Sequence, residues 1–440
     1  MTAWAYPQTP SVTAGETLTV RVSSRGPFRL LLYRLGSATQ FLTASPVYGA
    51  FEAPSGRVAL PWDAAACDVP IPRDARPGAY AAFVAHAPAD VALPQDRRDG
   101  AALFVVRPPH PRARVLVNLP LFTYHAYNSS TRDPLGDETR GHSLCTGASA
   151  VTLLRPGGGI GGHLCDEADR DAYDLASPRH CFEHWDRKAL AWLEERGYDV
   201  DVATDWDLHA APYPLAGYRL LLCFGHHAYW TDRMRARVER FVDGGGNVAF
   251  FGANALWSRV RYDVVRATIE RAGAWPVRED RLTGASYRFG GGRDRGARPP
   301  VPYVVSAPDH WAFAGCDFSE GSAFGASGGL IGYRCDGAPP DPGASARELA
   351  RADLDRWRES NGSEVFPDGH ASFVVREGAG TVVHAGTVDW PRLLARDAAV
   401  ARITRNVIER LAAGDVASSL VRNGHLDDGL VPVRRAGFET

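Results

Sequence analysis

The sequence predicts an α/β protein in which an N-terminal β-sandwich precedes a doubly wound parallel-sheet domain. Two short apolar runs, residues 220–224 and 247–253, each end in polar residues, and residues 231–242 between them carry apolar side chains at helical spacing. Continuous apolar runs are typical of parallel strands that are covered on both faces. Strand, helix and strand in this order form the repeating unit of a doubly wound sheet.

The N-terminal quarter of the chain has the pattern of an all-β domain. Residues 17–22 alternate apolar and polar side chains, and turn signals such as Arg76-Pro77-Gly78 separate this segment from further predicted strands. This spacing is typical of a small β-sandwich. The stiff connector Pro108-Pro109-His110-Pro111 is the clearest boundary. We therefore expect an Ig-like β-sandwich at residues 1–107 and an α/β domain at residues 112–440.

Composition excludes several classes of protein. The 440 residues are 45% hydrophobic and 23% charged, with a formal net charge of −2 and no long run of like charges, so we expect neither nucleic acid nor an anionic membrane as a partner. The N-terminus lacks a basic region followed by an apolar one, and no apolar run reaches the ~20 residues of a membrane span. We expect a cytoplasmic protein whose seven cysteines are thiols, because no secretion signal or Cys-x-x-Cys pair is present.

Polar residues follow the predicted strands where chemistry is expected. His226 and His227 come directly after one apolar run and Asn254 after the next. Ligands of open parallel sheets bind just beyond the carboxyl ends of the strands, so these residues should share one site. Asp205 ends an earlier predicted strand, residues 198–203, which we expect to be the neighbour of the strand that ends at His226.

Several motifs together carry a resemblance to a known family. They are Ala126-Tyr127-Asn128, Thr204-Asp205-Trp206-Asp207-Leu208-His209, Gly225-His226-His227-Ala228-Tyr229-Trp230, the segment 247–254 and Gly386-Thr387-Val388-Asp389-Trp390. With these motifs the chain resembles the family of the large subunit of N,N-dimethylformamidase over nearly its whole length. The resemblance implies a sheet related to class I glutamine amidotransferases, amide hydrolysis, and a mononuclear iron held by two tyrosines and a glutamate.

Two departures from the family pattern concern that iron. The position of the family's carboxylate ligand is occupied by Ala228, and the position of a family tyrosine aligns with Cys145. Ferric iron prefers hard, charged oxygen ligands, and an alanine side chain coordinates nothing. We therefore expect that the iron-dependent mechanism is not inherited and that the chain uses no metal and no cofactor.

A thiol in the same pocket as an imidazole suggests nucleophilic catalysis. A thiolate attacks carbonyl carbon well when an imidazole lies within hydrogen-bond reach and a third polar group orients that ring. The leading hypothesis is an amide- or acyl-processing enzyme that hydrolyses or forms an amide on a small or carrier-bound substrate. Its predicted residues are Cys145 as nucleophile, His226 as base, Asp205 or Glu364 as the orienting acid, and Tyr127, His227 and Asn254 as substrate contacts, with Asn254 holding an oxyanion.

Two other hypotheses stay open at this stage. His226, His227 and Cys145, with or without Tyr127, could hold zinc or another borderline metal ion that activates water. Alternatively, the chain could be a non-catalytic relative that binds a ligand or partner through the β-sandwich and the cleft of the family's iron site. The family resemblance is compatible with a homo-oligomer and with a small companion subunit, and no residue pattern names the substrate.

Overall fold

The computed structural model describes residues 3–413, except 54–55, 57, 87–99, 131–142, 161–169, 172–173, 179–180, 211–214, 294–298, 333, 342, 344 and 359–362. Strands predominate, and the chain is a mixed α/β protein rich in β-structure. The described helices include none that is long and apolar enough to cross a membrane.

The first eight strands form two sheets in which most strand pairs are antiparallel, and the two sheets share a hydrophobic core. The sheets have the orders β1-β3-β6 and β2-β8-β7-β4-β5. Alternation along β3 buries Leu18, Val20 and Val22, which pack with Leu30 and Phe104 of the other sheet. This packing is that of a β-sandwich. The strands are β1 (Ala3–Pro7), β2 (Ser11–Thr13), β3 (Thr17–Ser24), β4 (Phe28–Leu35), β5 (Thr39–Ala44), β6 (Ala65–Pro70), β7 (Gly78–His86) and β8 (Ala101–Arg107).

The rest of the chain is organised around a nine-stranded sheet of order β13-β9-β14-β16-β26-β25-β23-β20-β21, beside smaller sheets. Its strands and those of the smaller sheets are β9 (Val115–Leu119), β10 (Ala150–Thr152), β11 (Arg170–Asp171), β12 (Asp174–Pro178), β13 (Val200–Thr204), β14 (Leu220–His226), β15 (Tyr229–Thr231), β16 (Asn247–Ala253), β17 (Ser258–Asp263), β18 (Thr268–Arg271), β19 (Ser286–Arg293), β20 (Tyr303–Val305), β21 (Ala323–Phe324), β22 (Arg334–Gly337), β23 (Ala346–Asp353), β24 (Ser363–Val365), β25 (His370–Glu377) and β26 (Thr381–His384).

Helices cover this sheet and connect its strands. Helix α4 lies between β14 and β16 in the chain, as the sequence predicts, and Thr231 caps its first turn by accepting a hydrogen bond from the amide of Met234. The helices are α1 (Leu121–Tyr127), α2 (Asp186–Glu195), α3 (Asp205–His209), α4 (Asp232–Asp243), α5 (Asp280–Thr283), α6 (Asp355–Arg358), α7 (Trp390–Leu393) and α8 (Ala398–Ala412), with 3₁₀ turns at Leu215–Gly217 and Trp311–Phe313.

The large sheet is mixed, whereas the sequence predicts a parallel one. Strands β13, β9, β14, β16 and β26 pair in parallel, but β26, β25, β23, β20 and β21 pair in antiparallel fashion. The reason is the length of one connection. Only residues 378–380 join β25 to β26, which suffices for a hairpin but not for the crossover that a parallel pair requires. The specific arrangement of class I glutamine amidotransferases remains a prediction.

Two glycines allow β14 and β16 to lie close together just before the predicted site. Gly225 and Gly252 are register partners in the two parallel strands. A Cβ atom on Gly252 would lie 2.0 Å from the Gly225 carbonyl oxygen, and Gly225 itself has a φ of +68° that other residues avoid. The two strands therefore carry His226 and Asn254 to their common end without a side chain between them.

Replacing Gly252 with alanine should destabilise the fold. Because the obstruction is backbone oxygen and not a flexible side chain, we expect Gly252→Ala to lower the free energy of unfolding by about 3 kcal/mol, the upper end of the cost of overpacking. Denaturant titration followed by circular dichroism measures it. Gly49→Ala is the control, since a Cβ there meets nothing within 4 Å and should change stability little. Equal effects of both substitutions would contradict this interpretation.

Candidate functional site

His226 lies at the carboxyl end of β14 and is fully buried. Burial, with a smaller contribution from the positive charge of Arg334, holds the pKa of His226 well below its usual range. Its imidazole is therefore neutral at physiological pH. The ring of Tyr127 packs against it with centroids 5.1 Å apart, and the ring of Trp185 meets it edge-on at 6.1 Å.

Asn254 determines which nitrogen of His226 carries the proton. The side-chain Nδ2 of Asn254 lies 3.1 Å from Nε2 of His226. With Nδ2 turned to the ring, Nε2 accepts and the proton lies on Nδ1; with the amide turned by 180°, Oδ1 accepts from Nε2–H and the lone pair lies on Nδ1. The Oδ1 atom of Asn254 is buried without a hydrogen-bond partner among the described residues. The sequence-predicted neighbourhood of His226 and Asn254 is therefore confirmed, and the contact between them is direct.

A buried carboxylate holds Asn254 in place. Asn254 has a φ of +54°, a left-handed conformation that is uncommon outside glycine. Asp336 on β22 accepts hydrogen bonds from the backbone amides of Asn254 at 2.7 Å and Ala255 at 3.1 Å. Its Oδ2 also lies 3.0 Å from Nε2 of His384, on β26. These three contacts fix the turn after β16 and so orient the amide that faces His226.

Helix α1 packs against His226 and the residues that follow β14. Tyr127 ends α1, and its ring contacts Tyr229 at 5.8 Å as well as His226. One turn earlier, Thr123 Oγ1 accepts hydrogen bonds from the amides of Ala228 at 3.1 Å and Tyr229 at 3.2 Å. The helix is thus tied directly to the residues that follow β14, and the role of Tyr127 as a substrate contact stays a prediction.

The motif Gly386-Thr387-Val388-Asp389-Trp390 holds Trp185 in place beside His226. Asp389 Oδ1 accepts a hydrogen bond from Nε1 of Trp185 at 3.0 Å, and its Oδ2 lies 3.5 Å from the guanidinium of Arg392. All three residues are buried. Because Trp185 packs on His226, the motif fixes one wall of the site instead of supplying a reacting group.

Among the cysteines that the structure describes, Cys145 is the one whose side chain is exposed. The other described cysteines, Cys67, Cys181, Cys223, Cys316 and Cys335, are buried or half-buried. The sulfur of Cys145 lies 3.1 Å from Oγ of Ser143, and its backbone amide donates to the Ala126 carbonyl at 3.4 Å. That bond attaches Cys145 to the residue that precedes Tyr127. The predicted pairing of Cys145 with His226 stays a prediction.

The predicted position of Asp205 is wrong in one respect. Its strand, β13, does not neighbour β14, because β9 lies between them. Asp205 is instead the first residue of α3 and accepts hydrogen bonds from Nδ2 of Asn118 at 2.8 Å and the amide of Phe122 at 3.1 Å. Burial raises the pKa of Asp205 to about 7 in spite of these bonds. Its described partners therefore tie α3 to β9 and α1.

The remaining predicted residues are His227 and Glu364. His227 is buried, and its carbonyl accepts a hydrogen bond from the Leu256 amide at 2.9 Å. The backbone of Glu364 pairs with Gly292, which on its other side pairs with Arg334. The side chain of Glu364 lies outside the described part of the structure, so its catalytic role stays a prediction.

The residues around His226 do not fit the ferric site of the family. The methyl group of Ala228 packs in an apolar cluster with Tyr127 and Tyr229, where the family places a carboxylate. Imidazole and phenol remain, but the charged oxygen donor is missing. In the described residues no three His, Cys, Asp or Glu side chains are grouped to hold a metal ion, so His226, His227 and Cys145 are not assembled as the metal set that one hypothesis required.

Sequence reasoning missed Asp336, His384, Trp185 and Arg334. Asp336 is 82 positions from Asn254, and none of the four stands in a local pattern that indicates a site. The only available signal was Asp389 in the family motif, which would have led to Trp185.

The buried histidines make stability depend on pH. Burial lowers the pKa of His227 to about 3, with the Phe224 carbonyl opposing it only in part. A folded pKa below the unfolded value of about 6.5 contributes stability that is present above pH 6.5 and is lost as the pH falls through and below it. From pH 7.5 to pH 5 we expect His227 to account for a loss of about 2 kcal/mol of unfolding free energy.

Urea titrations of His227→Gln at both pH values measure this contribution. The variant should lose less stability on acidification than the parent protein. His110→Gln, at an exposed histidine, should show the parent's pH dependence, and an unchanged dependence in His227→Gln would refute the assignment.

The chain is distantly similar to several solved structures. An exo-β-1,4-mannosidase, Op5Man5 from Opitutaceae bacterium strain TAV5, is 13% identical with a TM-score of 0.29; the match covers 71% of this chain but only 36% of the mannosidase. The N-terminal domain of mmIFT52 is 12% identical (TM-score 0.29; 51% and 90% covered), and a ThuA-like protein from Parabacteroides merdae is 15% identical (TM-score 0.21; 45% and 71% covered). At such low identities and TM-scores, these similarities say nothing about the fold or the function of this chain.

The sequence comparison is more informative. No curated protein matches the chain. The family model described as N,N-dimethylformamidase beta subunit-like, C-terminal, matches residues 29–403. This match spans most of the chain, including His226 and the residues described above as its neighbours. The chain therefore belongs to the N,N-dimethylformamidase beta subunit-like family, which suggests an amide hydrolase at a general level.

Proposed function

We propose that the protein is an enzyme of amide or acyl chemistry in which the thiolate of Cys145 attacks the substrate carbonyl and His226 accepts the thiol proton. The supporting observation is the hydrogen bond from the Cys145 amide to Ala126. It ties the exposed thiol to the end of α1, where Tyr127 packs on His226. A neutral imidazole is the form that accepts a proton, and burial keeps His226 in that form.

Asn254 takes the orienting role in this proposal, in place of Asp205. The thiol proton needs a lone pair on Nδ1, so before the transfer the ring proton must lie on Nε2 and face an acceptor. Turning the amide presents Oδ1, which has no described partner, to Nε2–H. A cysteine, a histidine and an asparagine form a known nucleophilic set on other folds.

The reaction forms a thioester and releases an amine or another leaving group. The carbon–sulfur bond forms as the carbonyl's bond to its leaving group breaks, and the proton held by His226 passes to that leaving group. Water or an amine then resolves the thioester. Water gives hydrolysis, and an amine gives a new amide. The substrate class is a small or carrier-bound amide or acyl compound.

A second candidate is a relative that binds a ligand without turnover. The observation that favours it is the complete burial of His226, since substrate must displace neighbouring side chains before it reaches the ring. The two candidates differ in the reactivity of Cys145.

Mass spectrometry of the intact protein tests the nucleophile. The protein is incubated with a panel of small amides, including N,N-dimethylformamide, and with acyl thioesters. We expect an acyl adduct on Cys145 and its loss, together with at least 100-fold of kcat, in Cys145→Ala. Cys316→Ala is the matched control, because Cys316 is half-buried and should keep both. Turnover that survives Cys145→Ala would remove the nucleophile, and no turnover with an unreactive thiol would favour the binding candidate.

A substitution of Asn254 tests the orienting role without disturbing the backbone. Glycine adopts the φ of +54° freely, so Asn254→Gly removes the amide and leaves the turn. We expect kcat to fall by about 100-fold with little change in KM, because the ring loses the acceptor that holds its proton on Nε2, whereas substrate binding does not depend on that acceptor. Steady-state kinetics and thermal unfolding measure both quantities. Unchanged kcat in a folded variant would exclude Asn254 from the reaction.

A further inference from the structure

A large cavity lies between the β-sandwich and helix α1, away from His226. Its volume is about 580 Å³, within the range of small-molecule sites. The sandwich contributes Ala5 and Leu103, and α1 contributes Leu121 and His125. We name this space the α1 cavity.

Helix geometry separates the α1 cavity from the His226 centre. Leu121 and His125 are four positions apart and face the cavity, whereas Thr123 and Tyr127 contact the residues after β14. Residues two positions apart on a helix point in roughly opposite directions, because each residue turns the helix by about 100°. The cavity and the centre therefore use opposite faces of α1.

The lining of the cavity combines apolar walls with an uncompensated cation. Arg233 on α4 lines it, is half-buried, and has a buried Nε without a hydrogen-bond partner; no carboxylate pairs with it in the described part of the chain. A partly desolvated guanidinium without an anion is unfavourable, and a carboxylate or sulfonate would satisfy it with strong hydrogen bonds. At the rim, Val264 and Val265 are 52% and 83% exposed, which is unusual for adjacent valines on a surface.

A second polar residue, His125, borders the same space. His125 is buried, and its Nδ1 has no hydrogen-bond partner among the described residues. This nitrogen lies beneath the cavity wall, so among these two residues Arg233 is the group that a ligand would pair with.

We propose that the α1 cavity is a binding site for a small amphipathic anion, with an apolar body in the cavity and one carboxylate or sulfonate at Arg233. The ligand contacts the helix that carries Tyr127, on the face turned away from His226. This site is independent of the chemistry proposed for Cys145, and its test needs no substrate.

The probe is 1-anilinonaphthalene-8-sulfonate, an apolar ring system with one negative charge. Fluorescence titration and calorimetry of the full-length protein should show saturable binding of one equivalent. Arg233→Gln should raise the Kd at least ten-fold, or about 1.4 kcal/mol. Arg240→Gln, an exposed arginine of the same helix, is the matched control and should leave the Kd unchanged. The uncharged N-phenyl-1-naphthylamine should bind at least ten-fold more weakly.

Substitutions at the rim locate the site without threatening the fold. Val265 is exposed, so Val265→Asp and Val265→Lys should both fold. The aspartate should weaken binding of the sulfonate, and the lysine should tighten it. Ala210→Trp, which fills the cavity from α3's end, should abolish it. Absence of saturable binding, equal affinity for the uncharged probe, or indifference to Arg233→Gln and both Val265 variants would each overturn the proposal.

Discussion

The hydrogen bonds that Asp336 accepts from the amides of Asn254 and Ala255 are the constraint on which the candidate site depends. The sheet brings β14 and β16 to a common end, but it does not dictate a left-handed residue there. Asp336 is fully buried; its Oδ2 also meets His384, but the described partner of its Oδ1 is the Asn254 amide, so that oxygen is satisfied when the turn is formed. A buried acceptor left without its donors would be costly. The position of the Asn254 amide beside Nε2 of His226 follows from that carboxylate.

The sequence was most informative where a signal is local. The ends of two apolar runs place His226 and Asn254 at one edge of the sheet, and their contact at 3.1 Å agrees with this prediction. It was wrong where spatial order departs from chain order, since β9 precedes β13 and β14 in the chain but lies between them in the sheet. Asp336 could not be predicted, because its role arises only when β22 is placed beside the end of β16.

Helix α1 is a seven-residue element with two different environments. One face hydrogen-bonds the backbone after β14 through Thr123 and packs Tyr127 on the imidazole. The other face borders the α1 cavity. Its last carbonyls are held by Arg155, which is fully buried and donates to the carbonyls of His125 at 3.0 Å and Asn128 at 2.8 Å. A buried guanidinium at the C-terminus of so short a helix compensates for its unsatisfied carbonyls and its dipole. These hydrogen bonds hold α1 in place between His226 and the α1 cavity.

The loss of the family's carboxylate at position 228 agrees with the charge state of the centre. A glutamate beside the enclosed imidazole, without a metal cation to compensate it, would be a buried charge that raises its own pKa or destabilises the fold. Alanine removes that cost, and burial holds His226 neutral. What remains beside the ring is a phenol, an amide and apolar surface. Such a set can hold a carbonyl by hydrogen bonds, and a nucleophile must then come from outside the enclosed centre. Cys145, exposed and attached to the end of α1, is the thiol of the described chain that meets this requirement.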